Sequence, residues 1–207
     1  MRPAVDLGAA VAALARGALV VFPTETFYGL GADALRPEAV AAVAAAKGRD
    51  AGKPIAVIAS EPAMLARIVV APPAAARRLM ERFWPGPLTL VLAARPGLPP
   101  ALTAGTGTIG VRVSAHPVAR ALAAALGAPI TATSANPGGA LPPVEVARAR
   151  AYLGDAVAEY VDGGTLPGGS ASTVVSVAAG AARLIRAGAV SVEALRSALA
   201  PTPLEGA

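Results

Sequence analysis

Cysteine is absent from this chain, which excludes a disulfide framework, a thiolate nucleophile and a Cys-based metal site. Histidine occurs once, as His116. A single imidazole cannot build a His-cluster zinc site, and it leaves little room for a Ser-His-Asp arrangement. Because Pro117 follows it, His116 is expected at the start of a helix rather than in catalysis. Aromatic residues are scarce, at three Phe, three Tyr and one Trp, too few for the broad stacking platforms of single-strand nucleic-acid binders. Trp84 lies between a helical stretch and Pro85-Gly86-Pro87, the position of a packing anchor. No run approaches the ~18 uncharged apolar residues that a membrane span needs. Residues 1–21 look superficially like a signal peptide, but Asp6 and Arg16 interrupt the apolar run and no conventional cleavage site is evident. The expectation is a soluble, cytoplasmic protein.

What is present is alanine-rich and basic. The 207 residues suit one large domain or two small ones, with chain enough for a sizeable core. A net charge of +5 and a pI near 10.4 fit an anionic ligand without naming it. The positive charge is almost all arginine; the only two lysines, Lys47 and Lys53, both fall in KGRDAGKPIAVI at 47–58. An ammonium is a compact point charge and a guanidinium a flat fork. Lys47, Arg49 and Lys53 around Gly48 and Gly52 therefore have the make-up of a polyphosphate cradle. The same residues also fit a solvated loop in which Lys47 answers the end of a helix dipole.

Along the chain, apolar spacing predicts a helix over 6–16, stopped by Gly17. ALVVF at 18–22 reads as a buried strand ending at Pro23. Thr24, Glu25 and Thr26 then cluster before Gly29 and Gly31, which is either a ligand-facing strand end or a tight turn into a second strand. A helix from Pro37 delivers Lys47. Next come a strand at 55–59, a helix start at 60–62, a helix at 73–83 with Arg77, Arg78 and Arg82 outward, and a strand at 88–93. Residues 96–107 read as a mobile loop. TIGVRV at 108–113 is a strand carrying Arg112, followed by a helix at 117–126 and a strand at 129–133 that runs into SANPGG. Those hydroxyl and amide groups suit phosphate or ribose oxygens, although Asn-Pro-Gly is also ordinary turn chemistry. A helix at 143–153, an edge strand at 157–161, a flexible loop at 162–170, strands at 172–177 and 182–186 and a helix at 191–199 complete the domain. The tail after Pro201 is expected to fray. This alternation predicts a single α/β domain over 1–200 with a mixed twisted sheet.

Together PTETFYGLGADAL, KGRDAGKPIAVI, WPGPLTLVL, TIGVRV, ITATSAN, and ASTVV followed by RLIRAG resemble, in order and spacing, the YrdC-like family, and within it the threonylcarbamoyl-AMP synthases. The resemblance covers nearly the whole chain. It implies a twisted mixed sheet flanked by helices around a concave, positively charged cavity. It also implies the short single-domain form, without the additional C-terminal domain of longer relatives. By the same resemblance Lys47, Arg49, Ser134 and Asn136 form a catalytic polar tetrad at the nucleotide phosphates. Thr108 and Arg186 contact ATP, with Lys53 and Pro142 beside the nucleotide. Thr26, Arg112, Ser172 and Ala132 surround the amino acid. Ile58 stands where some relatives carry histidine and is expected to give apolar contact there. Ser176 replaces an acidic residue common in the family.

The activity so implied joins L-threonine, bicarbonate or CO2, and ATP into threonylcarbamoyl-AMP with release of pyrophosphate. Its product feeds tRNA modification at adenosine 37 through partner proteins that transfer the group, with possible tRNA contact and no membrane. Mg2+ is expected to arrive with ATP, and no organic cofactor is expected. A non-catalytic RNA-binding protein, or a relative making another carbamoyl-adenylate, are the competing readings.

Overall fold

A computed structural model describes residues 6–48 and 52–206. Among them the chain forms eleven strands and seven α-helices. A small sheet contains β1 (Val20–Phe22), β2 (Gly29–Gly31), β7 (Thr133–Ser134) and β8 (Glu159–Tyr160), in the order β7-β2-β1-β8. A larger sheet contains β3 (Val57–Ile58), β4 (Leu88–Ala93), β5 (Thr108–Arg112), β6 (Ile130–Thr131), β9 (Thr173–Ala178), β10 (Ala181–Arg186) and β11 (Leu204–Glu205). Its order is β11-β10-β9-β4-β5-β3-β6. Both sheets are mixed: β1 runs parallel to β8 but antiparallel to β2, and β4 runs parallel to β9 but antiparallel to β5. The single sheet expected from the sequence is therefore two. They are joined where the chain leaves β6 at Ala132 and enters β7, so the expected strand at 129–133 is divided between them.

The helices α1 (Gly8–Ala15), α2 (Pro37–Ala46), α3 (Ala74–Phe83), α4 (Pro100–Thr103), α5 (Pro117–Leu126), α6 (Val146–Leu153) and α7 (Val192–Leu199) flank the sheets. Local chemistry sets their ends. Pro37 occupies the first turn of α2, where its fixed φ suits the helix and its missing N–H costs nothing. The Ser191 hydroxyl accepts from the Ala194 amide at 3.2 Å to open α7. His116 opens α5, its Nδ1 accepting from the Val118 amide at 3.3 Å, and Gly127 closes that helix at φ +69°. The expected place of His116 at a helix start is thus the observed one.

The main core gathers Leu30, Val57, Leu79, Leu88, Leu90, Val111, Val175 and Leu195. Burying one such side chain stabilises the fold by about 1.5–3 kcal/mol. A second cluster packs α1 and α5 on Phe22, Ile58 and Ile130. Trp84 packs at the edge of the main core and donates from Nε1 to the Leu88 carbonyl at 2.7 Å, as a packing anchor does.

Three expectations about loops are corrected. Residues 204–205 pair with β10 instead of fraying, with Leu204 opposite Ala182. Residues 96–107 contain α4, anchored by the fully buried Leu102. The loop at 162–170 is pinned rather than free: the Tyr28 hydroxyl donates to Gly164 O at 2.7 Å, and the Gly168 amide to Thr26 O at 3.1 Å.

Candidate active site

A cavity of about 420 Å³ opens between the two sheets, at the Ala132 crossing. Its wall takes Thr26 from the turn after β1, Thr108, Gly110 and Arg112 from β5, and Ala132 and Ser134 from the crossing. Pro142 comes from the following loop, and Ser172 and Arg186 from around β9 and β10. Alternation along β5 aims residues 108, 110 and 112 at the cavity while Ile109 and Val111 enter the core. Gly110 keeps the floor open: a Cβ there would lie 3.2 Å from the Ala56 Cβ and 3.5 Å from Thr89 Cγ2.

Eight of the expected site residues therefore share one wall. Lys47, at the end of α2, is buried behind the wall. Its ammonium donates to the carbonyls of Ser134 and Asn136, while its own carbonyl accepts from the Gly138 amide at 3.3 Å. Asn136 is also buried. Its Nδ2 donates to Pro137 O at 2.9 Å and Ala140 O at 2.8 Å, and its Oδ1 is buried without a hydrogen bond. Both side chains thus shape the loop that carries Ser134. Lys53 is exposed and outside the cavity wall. Arg49 lies outside the described residues.

Ile58 departs from expectation. It is fully buried in the second apolar cluster, against α1 and α5, and does not line the cavity. Ala56 and Val57 supply that stretch of wall instead.

Thr89, Glu25 and Ser114 brace the site and were not assigned roles from the sequence. Thr89 meets the Ser172 hydroxyl at 2.9 Å, and Arg186 donates to Ser172 O at 2.7 Å and Ser172 Oγ at 3.1 Å. Glu25 places Oε1 3.8 Å from Arg112 Nη1, and its Oε2 accepts from the fully buried Ser114 hydroxyl. Burial pushes the Glu25 pKa up, but the Arg112 charge, the Ser114 hydroxyl and the amides of Glu25 and Ala115 outweigh it. The net pKa is below the ordinary 4.5, and the carboxylate is ionised. Burial depresses the Arg112 pKa, Glu25 opposes that, and Arg186 adds to it. The Arg186 guanidinium therefore contributes to the electrostatic surroundings of Arg112. Polar density at 24–26 was the one sequence signal that pointed toward Glu25.

Among the described residues no group of three His, Cys, Asp or Glu gathers to hold a metal. The wall's hydroxyl and guanidinium donors, with one carboxylate already engaged behind it, do not fit a resident divalent cation. Fixed hydroxyl and guanidinium donors in such a wall suit the stabilisation of negative charge. These features define an α/β domain with a donor-lined cavity between its two sheets.

The chain belongs to the Sua5/YciO/YrdC family: the family model, described as "Telomere recombination", matches residues 12–188. It is 39% identical over 197 residues to a protein of Bacillus subtilis named threonylcarbamoyl-AMP synthase, covering 95% of this chain and 57% of that one. A Halorhodospira halophila protein of the same name is 41% identical over 154 residues, covering 74% of this chain and 81% of its own. Among solved structures, P. abyssi Sua5 complexed with L-threonine superposes with a TM-score of 0.89 at 35% identity. That match covers 94% of this chain and 57% of the P. abyssi chain, so this chain spans little more than half of that protein's length.

Proposed function

We propose that this chain is a threonylcarbamoyl-AMP synthase, joining L-threonine, bicarbonate and ATP into threonylcarbamoyl-adenylate and pyrophosphate. The observation that carries the reading is one cavity lined by Arg112, Thr26 and Ser172 together with Thr108, Ser134 and Arg186. It combines a place for a small amino acid with donors for a polyphosphate.

The chemistry asks little of a protein nucleophile. Threonine's amine and bicarbonate condense to a carbamate with loss of water. A carbamate oxygen then attacks the α-phosphorus, and the bond to the departing pyrophosphate breaks. Positioning and charge stabilisation supply the rate. Arg112 meets the threonine carboxylate through its fork, because paired N–H groups give direction as well as attraction. Arg186 and Thr108 take the nucleotide, with Pro142 flanking it and Arg49 and Lys53 completing its phosphate contacts. Lys47 and Asn136 hold the loop that presents Ser134. Any Mg2+ enters bound to the triphosphate. The product serves tRNA N6-threonylcarbamoyladenosine formation in the cytoplasm, handed on by group-transfer proteins that contact tRNA.

The test is pyrophosphate release from ATP and bicarbonate, with each amino acid supplied singly. Release that requires threonine supports the reading. Release without any amino acid points to another carbamoyl-adenylate. No release, with RNA affinity falling steeply in salt, points to an RNA-binding protein.

A further inference from the structure

Glu25 is the one acidic side chain paired with a cavity guanidinium among the described residues, and the expected reaction leaves it without a role. It does not line the cavity. Its two oxygens differ in their surroundings. Oε2 accepts from the Ser114 hydroxyl, and that hydroxyl also accepts from the His116 amide at 3.2 Å. The Ser114 carbonyl in turn accepts from Arg120 Nη1. The far side of the carboxylate is thus fixed to the start of α5. Oε1 is buried, makes no hydrogen bond, and faces Arg112 Nη1 at 3.8 Å.

From this geometry we propose that Glu25 is a positioning residue for the amino-acid site. It holds the guanidinium of Arg112 from behind, in the orientation that receives the substrate carboxylate. The inference rests on the role of Arg112 proposed above. A buried guanidinium with no counter-charge turns toward any acceptor it can reach, and the side chain of Arg112 is only 10% exposed. Five N–H donors share one plane. With Glu25 on one edge, the remaining donors are kept for the cavity. The separation beyond hydrogen-bond reach matters as well. It steers the charge of Arg112 without consuming the N–H groups that a ligand needs.

A double-mutant cycle tests this, with threonine binding read by calorimetry and steady-state pyrophosphate release read in parallel. Glu25→Gln should weaken threonine binding about 10- to 100-fold, the scale of losing an outer support of a binding group. The ATP KM should stay within about twofold of wild type. Glu25→Asp, which keeps the charge, should recover part of the loss. In Glu25→Gln/Arg112→Lys the loss should be no larger than in Arg112→Lys alone, because Glu25 acts through Arg112. Losses that multiply, threonine affinity unchanged in Glu25→Gln, or equal losses of threonine and ATP affinity would each overturn the proposal. Should Glu25→Gln fail to fold, Ser114→Ala frees Oε2 while retaining both charges. It must then weaken threonine selectively, and unchanged affinity overturns the proposal. Wild-type protein that releases no pyrophosphate refutes the adenylate reading instead, while the calorimetric cycle on threonine still decides the role of Glu25.

Discussion

Arg186 donates to the Ser172 carbonyl from Nη2 at 2.7 Å and from Nε at 3.3 Å, and its Nη2 also donates to the Ser172 hydroxyl oxygen at 3.1 Å. One of these residues is proposed to serve the nucleotide and the other the amino acid. Thr89 holds the same hydroxyl at 2.9 Å. A phosphate arriving at Arg186 must therefore share or release the group that orients Ser172, which couples the two substrates. Burial also lowers the Arg186 pKa, so an anion that restores its charge balance is favoured there.

That coupling is measurable. Arg186→Lys keeps the charge and loses the fork, so KM should rise for threonine as well as for ATP. A cycle between Arg186→Lys and Ser172→Ala should show a coupling of about 0.5–3 kcal/mol in threonine kcat/KM. Additive effects would mean that the two sites are independent.

Lys47 gives a prediction about stability as well as activity. Its ammonium satisfies two main-chain carbonyls of the loop that carries Ser134. Lys47→Met removes the charge and leaves those carbonyls unpaired, at about 1–3 kcal/mol each. Thermal unfolding should shift down, and pyrophosphate release should fall about 10- to 1000-fold. An activity loss with wild-type melting would instead place the ammonium on the substrate phosphates. Arg49→Ala is expected to lower pyrophosphate release over the same range.

The sequence revealed the elements better than their joints. Runs such as LTLVLA at 88–93 and PVARALAAAL at 117–126 carry their period and their breakers, and they form β4 and α5 at those bounds. The division at Ala132 carries no local signal, because one residue leaves one sheet for the other on tertiary pairing alone. The strand at 108–113 was legible from its alternation, while the placement of Thr108 and Arg112 at a site came from the family resemblance. Glu25 was not, because its meaning depends on Ser114 and Arg112, each about ninety positions away in the chain. A charged residue on a helix is read as solvated by default, and Arg78 shows how that default fails.

Arg78 was expected to face outward with Arg77 and Arg82. Instead it crosses to the end of α7, donating to Leu199 O at 2.7 Å, Ala198 O at 3.3 Å and Thr202 Oγ1 at 3.1 Å. The last carbonyls of a helix have no partners within it, and a guanidinium there also complements the helix dipole. Arg78→Ala should destabilise the fold by about 1.5–3 kcal/mol by denaturant unfolding. Arg77→Ala, whose side chain bonds Pro72 O just before its own helix, should stay within about 0.5 kcal/mol. Equal effects would show that Arg78 contributes no cap.

Selectivity for threonine must be built without Ile58. That side chain is fully buried among Ala119, Leu122 and Ile130. Ile58→Ala should cost about 2–5 kcal/mol of stability, the range for an emptied core site. It should leave the ratio of threonine to serine turnover unchanged. The cavity wall offers other means of discrimination, with Ala56, Val57 and Ala132 as apolar surface beside the hydroxyls of Thr26 and Ser172. Serine lacks only threonine's methyl, a difference that apolar contact discriminates by about 1–3 kcal/mol, or 10–200-fold. Valine keeps the shape and loses the hydroxyl, so any hydrogen bond that threonine's hydroxyl makes to the wall is lost, a heavier penalty than a missing methyl. Pyrophosphate-release efficiency should therefore fall from threonine to serine to valine. Valine turned over as well as serine would mean that the cavity reads shape alone. A threonine–serine ratio that collapsed in Ile58→Ala would return that residue to the substrate's surroundings, against the packing that now encloses it.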